Sequence, residues 1–323
     1  DWNTVYVNDK AGFLKRVKQF LDVANDNNIG VIMSLFWRYA TIPDLVSERV
    51  NIGLGTPGSA TRNFCAQYVQ DLVDTFKNHP AIAGWEMGNE YSLFASNGAL
   101  PHINVGLGTP ASYSIPDDVM TLETMRSFYS FIIAEIKKYD TTNRIIMSGN
   151  GGPGGVIEKS LSNYLTLLPL DNPMDNWTFH KYSRNFFGSR AYADLKNTLI
   201  EIRNAAYAAG KPMILGEFGQ ERNELYGGYG GTNIFKNGAD AVYRSGTQLA
   251  FAWNWKREDS LVETNNFSFH PENTINGTNE VFKILQYYNE KMKSEGYIPP
   301  NVLQPTLPVE VSCNGGYGTG TTV

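Results

Sequence analysis

The sequence predicts an α/β fold of the (β/α)₈ type, the TIM barrel. Three observations lead to this prediction. Helical segments alternate with short apolar segments along most of the 323 residues. The apolar segments are hydrophobic along their whole length, as parallel strands buried on both faces are. The longest connections follow the strands rather than precede them, which favours a barrel over an open doubly wound sheet, the alternative that six strands leave possible.

The spacing of apolar residues defines the elements in chain order. Phe13, Val17, Phe20, Leu21 and Ala24 recur at helical spacing, and the continuous apolar run at 29–36 follows as a strand. The predicted helices are 9–27, 61–78, 117–139, 156–167, 190–209, 234–246 and 279–293. The predicted strands are 29–36, 81–90, 143–149, 176–182, 212–218 and 249–255.

The two ends of the predicted strands differ in their connections. Long loops rich in Gly, Pro and aromatic residues follow strands at 37–60, 91–116 and 219–233. Only two-residue links, 79–80 and 210–211, precede the second and fifth strands. Because barrel enzymes carry their functional groups at the carboxyl ends of the strands, we expect the functional residues of this chain there.

The domain prediction follows from the strand count. A (β/α)₈ barrel needs eight strands, so we expect the first two to be missing from this chain or replaced by another segment. Residues 1–298 are predicted to form the catalytic barrel. The tail at 299–323 is rich in Pro, Gly and Thr, which is typical of a linker, a surface wrap or a strand that fills the gap.

Composition excludes several classes of partner. The formal charge of −5 comes without any block of Lys or Arg, so nucleic acid is not an expected partner. No stretch approaches the ~20 apolar residues that span a bilayer, so the membrane is not one either. Aromatic residues make up 13% of the chain, enough for sugar-stacking platforms as well as for the core. Cys65 lies in an amphipathic segment and is predicted to be buried, whereas Cys313 lies in the tail.

Two carboxylates end predicted strands. The stretch GWEMGNEY at 84–91 places Asn89 and Glu90 where a strand meets a loop, and ILGEFG places Glu217 at the end of another strand. Either glutamate alone fits an ordinary surface residue. Both together fit a retaining glycosidase, which uses one carboxyl group as acid/base and another as nucleophile.

Four motifs in the same order resemble a known clan. They are WEMGNE at 85–90, FHKY at 179–182, LGEFG at 215–219 and FAWNW at 251–255. With them the sequence resembles the retaining glycoside hydrolases with (β/α)₈ barrels, and most of all glycoside hydrolase family 5, the cellulase and β-mannanase family. The resemblance implies that Glu90 is the general acid/base and Glu217 the nucleophile.

The resemblance also implies a set of substrate-binding residues. Asn89 would contact the sugar 2-hydroxyl, and Trp253 would lie under the −1 sugar. His180 and Tyr182 match the pair beside the nucleophile; they are two apart on a strand and share a face, although His180 alone also fits a core histidine. Trp37 is predicted to be a further sugar platform or a cover over the core.

Phe36 differs from the family pattern, and Glu86 is a charged residue in an apolar strand. Phe36 stands where the family usually has a histidine, at the end of its third strand. Glu86 shares a strand face with Glu90 and, if it points into the interior, needs a partner. Arg144, at the start of the next strand, is the candidate.

The predicted function is therefore that of a secreted or periplasmic glycoside hydrolase that cleaves β-1,4-linked polysaccharide, β-mannan or β-glucan, in an endo manner. The alternatives are an exo-acting β-mannosidase or β-glucosidase and a barrel that binds glycan without cleaving it. A metal-dependent or Schiff-base barrel would need clustered ligands or a strand-end lysine such as Lys181. The scattered histidines form no HExxH motif, so neither a catalytic metal nor a cofactor is predicted.

Overall fold

The computed structural model describes residues 2–95, 120–151, 174–183, 189–220, 230–254 and 278–295. The chain divides into two compact units, Asp1–Thr178 and Phe179–Val323. The predicted helix at 156–167, Cys313 and the tail at 299–323 lie outside the described residues.

The first unit alternates helices and strands. A π-helical segment, Trp2–Val7, precedes α1. The helices are α1 (Lys10–Asp26), α2 (Thr41–Leu45), α3 (Val50–Gly55), α4 (Ala60–Val69) and α5 (Leu122–Tyr139). The strands are β1 (Val31–Phe36), β2 (Ile82–Gly88) and β3 (Ile145–Met147). The axis of α4 continues through a π-helical segment, Gln70–Asp74, and a 3₁₀ turn, Tyr91–Leu93, follows β2.

The second unit continues the alternation. Its strands are β4 (Trp177–Ser183), which begins just before the unit boundary, β5 (Met213–Gln220) and β6 (Leu249–Ala252). Its helices are α6 (Ser189–Ala208), α7 (Gly230–Ser245) and α8 (Thr278–Glu295). All predicted strands are thus confirmed, with ends that differ by a few residues, and so are the predicted helices within the described ranges.

The strands form two three-stranded sheets, β1-β2-β3 and β4-β5-β6. Strand β2 pairs in parallel with both β1 and β3, and β5 pairs in parallel with β6. The predicted α/β class is therefore confirmed. The described residues contain six strands, and the expectation about two further strands stays a prediction.

One loop prediction is wrong. The segment 37–60 after β1 contains α2 and α3, which the Gly- and Pro-rich sequence does not reveal. Glu48 ties these short helices to α4, because its carboxylate accepts hydrogen bonds from Ala60 N, Thr61 N and Thr61 Oγ1 at 2.7–2.8 Å. Burial alone would raise the pKa of Glu48, but these hydrogen bonds together hold it below its ordinary value.

Strand β2 shows how the sheet is oriented. Trp85 and Met87 are fully buried, and the indole Nε1 of Trp85 donates to Asp140 Oδ2 at 2.8 Å, just after α5. Because alternate residues of a strand face opposite ways, Gly84, Glu86 and Gly88 line the other face. The Trp85 side chain therefore lies on the side of Asp140, and the Glu86 side chain leaves β2 on the opposite side.

Among the residues that the structure describes, no helix is long and apolar enough to cross a membrane.

Candidate active site

The backbone of the first unit bends sharply at the end of β2. Glu90 has φ 57° and ψ 32°, a left-handed conformation that costs free energy in a residue other than glycine. Gly88, two residues earlier, lies so close to β1 that a Cβ atom there would overlap the carbonyl oxygen of Phe36. Strand β2 thus ends at Gly88, two residues before the predicted acid/base.

Both backbone amides of the Asn89-Glu90 dipeptide are held by neighbouring segments. The N–H of Asn89 donates to the carbonyl oxygen of Trp37, just past β1, at 3.2 Å. The N–H of Glu90 donates to the carbonyl oxygen of Gly149, just past β3, at 2.7 Å. Because the three strands are parallel, their carboxyl ends meet here and fix the peptide that carries the predicted acid/base.

The side chains at this edge combine polar and aromatic character. Asn89 is 7% exposed, and Glu90 is half-buried. Trp37 is 42% exposed, as a stacking platform for a sugar has to be. Beyond it, Tyr39 stacks on Phe94 with ring centroids 4.8 Å apart. The structure therefore brings Trp37, Asn89 and Glu90 to one edge of the first sheet, as the sequence predicts.

Phe36 is part of the core and not of this edge. Its side chain is 1% exposed and contacts Tyr68 of α4 and Phe128 of α5, with ring centroids 5.6 and 6.2 Å away. The phenol of Tyr91 donates to its carbonyl oxygen at 3.0 Å. Phe36 thus faces the helices, and a histidine at this position would be buried among aromatic rings.

The predicted pair between Glu86 and Arg144 is wrong. Arg144 instead contacts Asp140 Oδ2 at 3.2 Å, and its Nε donates to the carbonyl oxygen of Ile82 at 2.8 Å. Arg144 precedes β3, near the amino end of the sheet, whereas Glu86 lies nearer the carboxyl end of β2. The two side chains therefore lie at different positions along adjacent strands and do not form an ion pair.

In the second unit, His180 and Glu217 meet. His180 Nδ1 lies 3.4 Å from Glu217 Oε2, and the two side chains are only 3% and 13% exposed. Strand β5 extends to Gln220, so Glu217 lies within the strand rather than at its end. Leu215 pairs with Ala250 but Phe218 with Ala252. The extra residue of β5 is a bulge at Gly216-Glu217, a device that commonly re-aims side chains beside active sites.

Trp253 is anchored next to this pair. Its N–H donates to the carbonyl oxygen of Phe218, the residue after Glu217, at 2.8 Å, and the Trp253-Asn254 peptide bond is cis. Trp253 is half-buried. Tyr182 lies in β4, but its side chain lies outside the described part of the structure.

Lys181 does not share the face of His180. The two residues are adjacent in β4, so their side chains leave the strand on opposite sides. Burial lowers the pKa of Lys181. A Schiff-base site at this strand would therefore lie on the face away from Glu217.

One residue of the site was not identified from the sequence. Gly149, whose carbonyl oxygen accepts the N–H of Glu90, has φ +67°, whereas the sequence placed it inside the predicted strand 143–149.

Comparison with known proteins places these observations in context. The family model described as cellulase (glycosyl hydrolase family 5) matches residues 1–259. A sequence comparison with curated proteins finds no match.

Solved structures with a similar fold include two mannanases. An endo-β-1,4-mannanase from Thermotoga petrophila is 16% identical, with a TM-score of 0.61 over 85% of this chain and 62% of that one. An endo-1,4-β-mannanase from Rhizomucor miehei is also 16% identical, with a TM-score of 0.60 over 86% of this chain and 76% of that one. At these identities the likeness shows a shared fold.

Proposed function

Because this chain belongs to glycosyl hydrolase family 5, we propose that it is a retaining glycoside hydrolase that cleaves β-1,4-linked polysaccharide, with Glu217 as nucleophile and Glu90 as general acid/base. Two carboxyl groups that act on one anomeric carbon in this way need to lie ~5–5.5 Å apart. We further propose that the strands belong to a (β/α)₈ barrel, which would bring both carboxyl groups to one mouth.

In the first step, the Glu217 carboxylate attacks the anomeric carbon and the bond to the leaving sugar breaks. The Glu90 carboxyl group gives its proton to the departing oxygen. In the second step, Glu90 takes a proton from water, the water oxygen attacks the anomeric carbon, and the ester bond to Glu217 breaks. Both glutamates end as they began, and the configuration of the sugar is retained.

The remaining site residues have supporting roles in this proposal. His180 and Tyr182 orient the Glu217 carboxylate, because a carboxylate must be aimed as well as ionised to attack carbon. Asn89 binds the 2-hydroxyl of the reacting sugar. Trp253 and Trp37 stack against the apolar faces of sugar rings.

The observation that carries the proposal is the pairing of His180 with Glu217 at 3.4 Å beside a bulge in β5. A carboxylate only 13% exposed and next to a buried imidazole is not an ordinary surface residue. The left-handed Glu90 at the end of β2 gives the second carboxyl group an equally specific backbone position.

The substrate in this proposal is β-mannan or β-glucan, attacked within the chain. Because polysaccharides do not cross membranes unaided, we propose that the protein is secreted or periplasmic. Products from mannohexaose and cellohexaose, separated by mass spectrometry, distinguish the two sugars. Release of single sugars from one end would instead indicate an exo-acting β-mannosidase or β-glucosidase.

The catalytic assignment is tested with matched variants. We expect Glu217→Ala and Glu90→Ala to lose activity, whereas Glu201→Gln and Glu123→Gln, which change exposed helix residues, stay active. Nuclear magnetic resonance of the fresh product should show the β-anomer first. A protein that binds these glycans but cleaves none of them would contradict the hydrolase assignment, and a first α-anomer would contradict retention.

A further inference from the structure

Gly149 occupies a backbone position that no other residue fits. It follows β3 and has φ +67°, which L-residues with a side chain rarely adopt. A methyl group there would overlap the carbonyl oxygen of Gly88 and lie 2.9 Å from the carboxyl carbon of Glu86. Both the torsion angle and the space therefore require glycine.

The same residue contacts the predicted proton donor directly. The carbonyl oxygen of Gly149 accepts the N–H of Glu90 at 2.7 Å. This hydrogen bond fixes the Asn89-Glu90 peptide, and the orientation of that peptide sets the direction in which the Glu90 side chain leaves the backbone. A left-handed glutamate persists only where its surroundings determine it in this way.

A side chain at position 149 would disturb this arrangement from two sides. It would push Gly88, two residues before Glu90, and at the same time move the carbonyl group that Glu90 contacts. The first sheet would still be held by the other pairs of β2 with β1, which begin at Val31 and Ile82, and by its pairs with β3. The disturbance is thus centred on Glu90.

We propose that Gly149 is the positioning residue for proton transfer by Glu90. Its close approach to β2 and its carbonyl group hold Glu90 in the left-handed conformation, from which the carboxyl group is aimed at the glycosidic oxygen. The inference rests on the proposed function. It deepens that function by naming the group that sets the geometry of the general acid.

The variant Gly149→Ala tests this role against Gly58→Ala. Gly58 also has a positive φ, +78°, but nothing lies within 4 Å of an added Cβ. Both variants therefore carry the same kind of torsional strain, and only Gly149→Ala carries the overlap beside Glu90. Burst titration with a dinitrophenyl 2-fluoro-glycoside counts the sites at which Glu217 still reacts, so that rates are expressed per competent site.

Two substrates separate proton transfer from nucleophilic attack. Cleavage of an unactivated β-1,4-oligosaccharide needs the proton from Glu90, whereas a dinitrophenyl glycoside has a leaving group that departs without one. We expect kcat of Gly149→Ala on the oligosaccharide to fall about 100-fold with little change in KM. Formation of the glycosyl-enzyme from the dinitrophenyl glycoside should stay near the wild-type rate, and azide should accelerate its turnover, as it should for Glu90→Ala.

The result that would overturn the inference is an equal loss on both substrates, an activity like that of Gly58→Ala, or the absence of titratable sites. Each of these results would exclude a specific role of Gly149 in proton transfer. Failure of the proposed function has a different signature, because the wild-type protein itself would then be inactive and Glu90→Ala would change nothing.

Discussion

His180 Nδ1 and Glu217 Oε2 lie 3.4 Å apart in the second unit, and neither side chain is more than 13% exposed. Their strands, β4 and β5, belong to one sheet. A ring nitrogen that carries a proton at Nδ1 donates toward the carboxylate and limits its rotation. The pair therefore links the orientation of the predicted nucleophile to His180.

Removal of that histidine should slow the chemistry more than it weakens binding. We expect His180→Ala to lower kcat roughly 10- to 100-fold, because the Glu217 carboxylate loses the neighbour that orients it. His79→Ala is the control, since His79 Nε2 contacts the carboxylate of Asp22 at 3.1 Å at the amino end of the first sheet. Steady-state kinetics on one oligosaccharide compare the two. Equal effects on kcat would refute an orienting role.

Trp37 should act in binding alone. Its ring is 42% exposed, while its carbonyl group holds Asn89 and is retained in any variant. We expect Trp37→Ala to raise KM about 2- to 10-fold with little change in kcat, which corresponds to the loss of one ring contact. Tyr207→Ala removes an aromatic ring that is 56% exposed on α6 and should leave KM unchanged. An unaltered KM in Trp37→Ala would exclude the platform role.

The pair of Asp140 with Arg144 should stabilise the first unit in a pH-dependent way. Burial raises the pKa of Asp140, but hydrogen bonds from Thr142 and Trp85 and the charge of Arg144 outweigh it and lower that pKa. The Asp140 carboxylate therefore binds a proton less tightly in the folded state than in the unfolded state. Its contribution to the free energy of unfolding is present above about pH 4 and is lost as the pH falls through the pKa of the folded state.

Urea unfolding followed by tryptophan fluorescence measures this contribution. We expect Asp140→Ala to lower the free energy of unfolding by about 3 kcal/mol at pH 7, since it leaves Arg144 and the Trp85 indole without their partner. Asp74→Ala, which breaks an exposed pair with Lys77, should cost less than about 1 kcal/mol. Equal losses in the two variants would show that the Asp140 cluster contributes no more than a surface pair.

Cys65 should be chemically inert while the protein is folded. Its side chain is fully buried, and burial raises the pKa of the thiol, which the nearby Arg62 offsets only in part. In a Cys313→Ser background, a thiol reagent at pH 8 should label no Cys65 in the native protein and all of it in urea. Rapid labelling of the native protein would contradict the buried position.

The spacing of apolar residues was sufficient to predict the order of helices and strands, because it reports local structure and burial directly. The amphipathic segment around Cys65 correctly predicted the burial of this residue, and the motifs around Glu90 and Glu217 predict their catalytic roles. The helices α2 and α3 were not predicted, because the glycine and proline residues of this segment indicate a loop. Such short helices depend on tertiary contacts, such as the hydrogen bonds of Glu48 with the start of α4.

The contacts that hold the site residues could not be predicted from the sequence and depend on how the chain folds. Arg144 pairs with Asp140 and not with Glu86, and the Phe36 side chain packs against the helices. The carbonyl oxygen of Gly149, just past β3, accepts a hydrogen bond from the N–H of Glu90. These facts depend on the height and register of neighbouring strands, which arise from contacts between residues distant in the chain. Periodicity along one segment carries no information about them, because the energy that selects a register comes from the neighbour against which the segment packs.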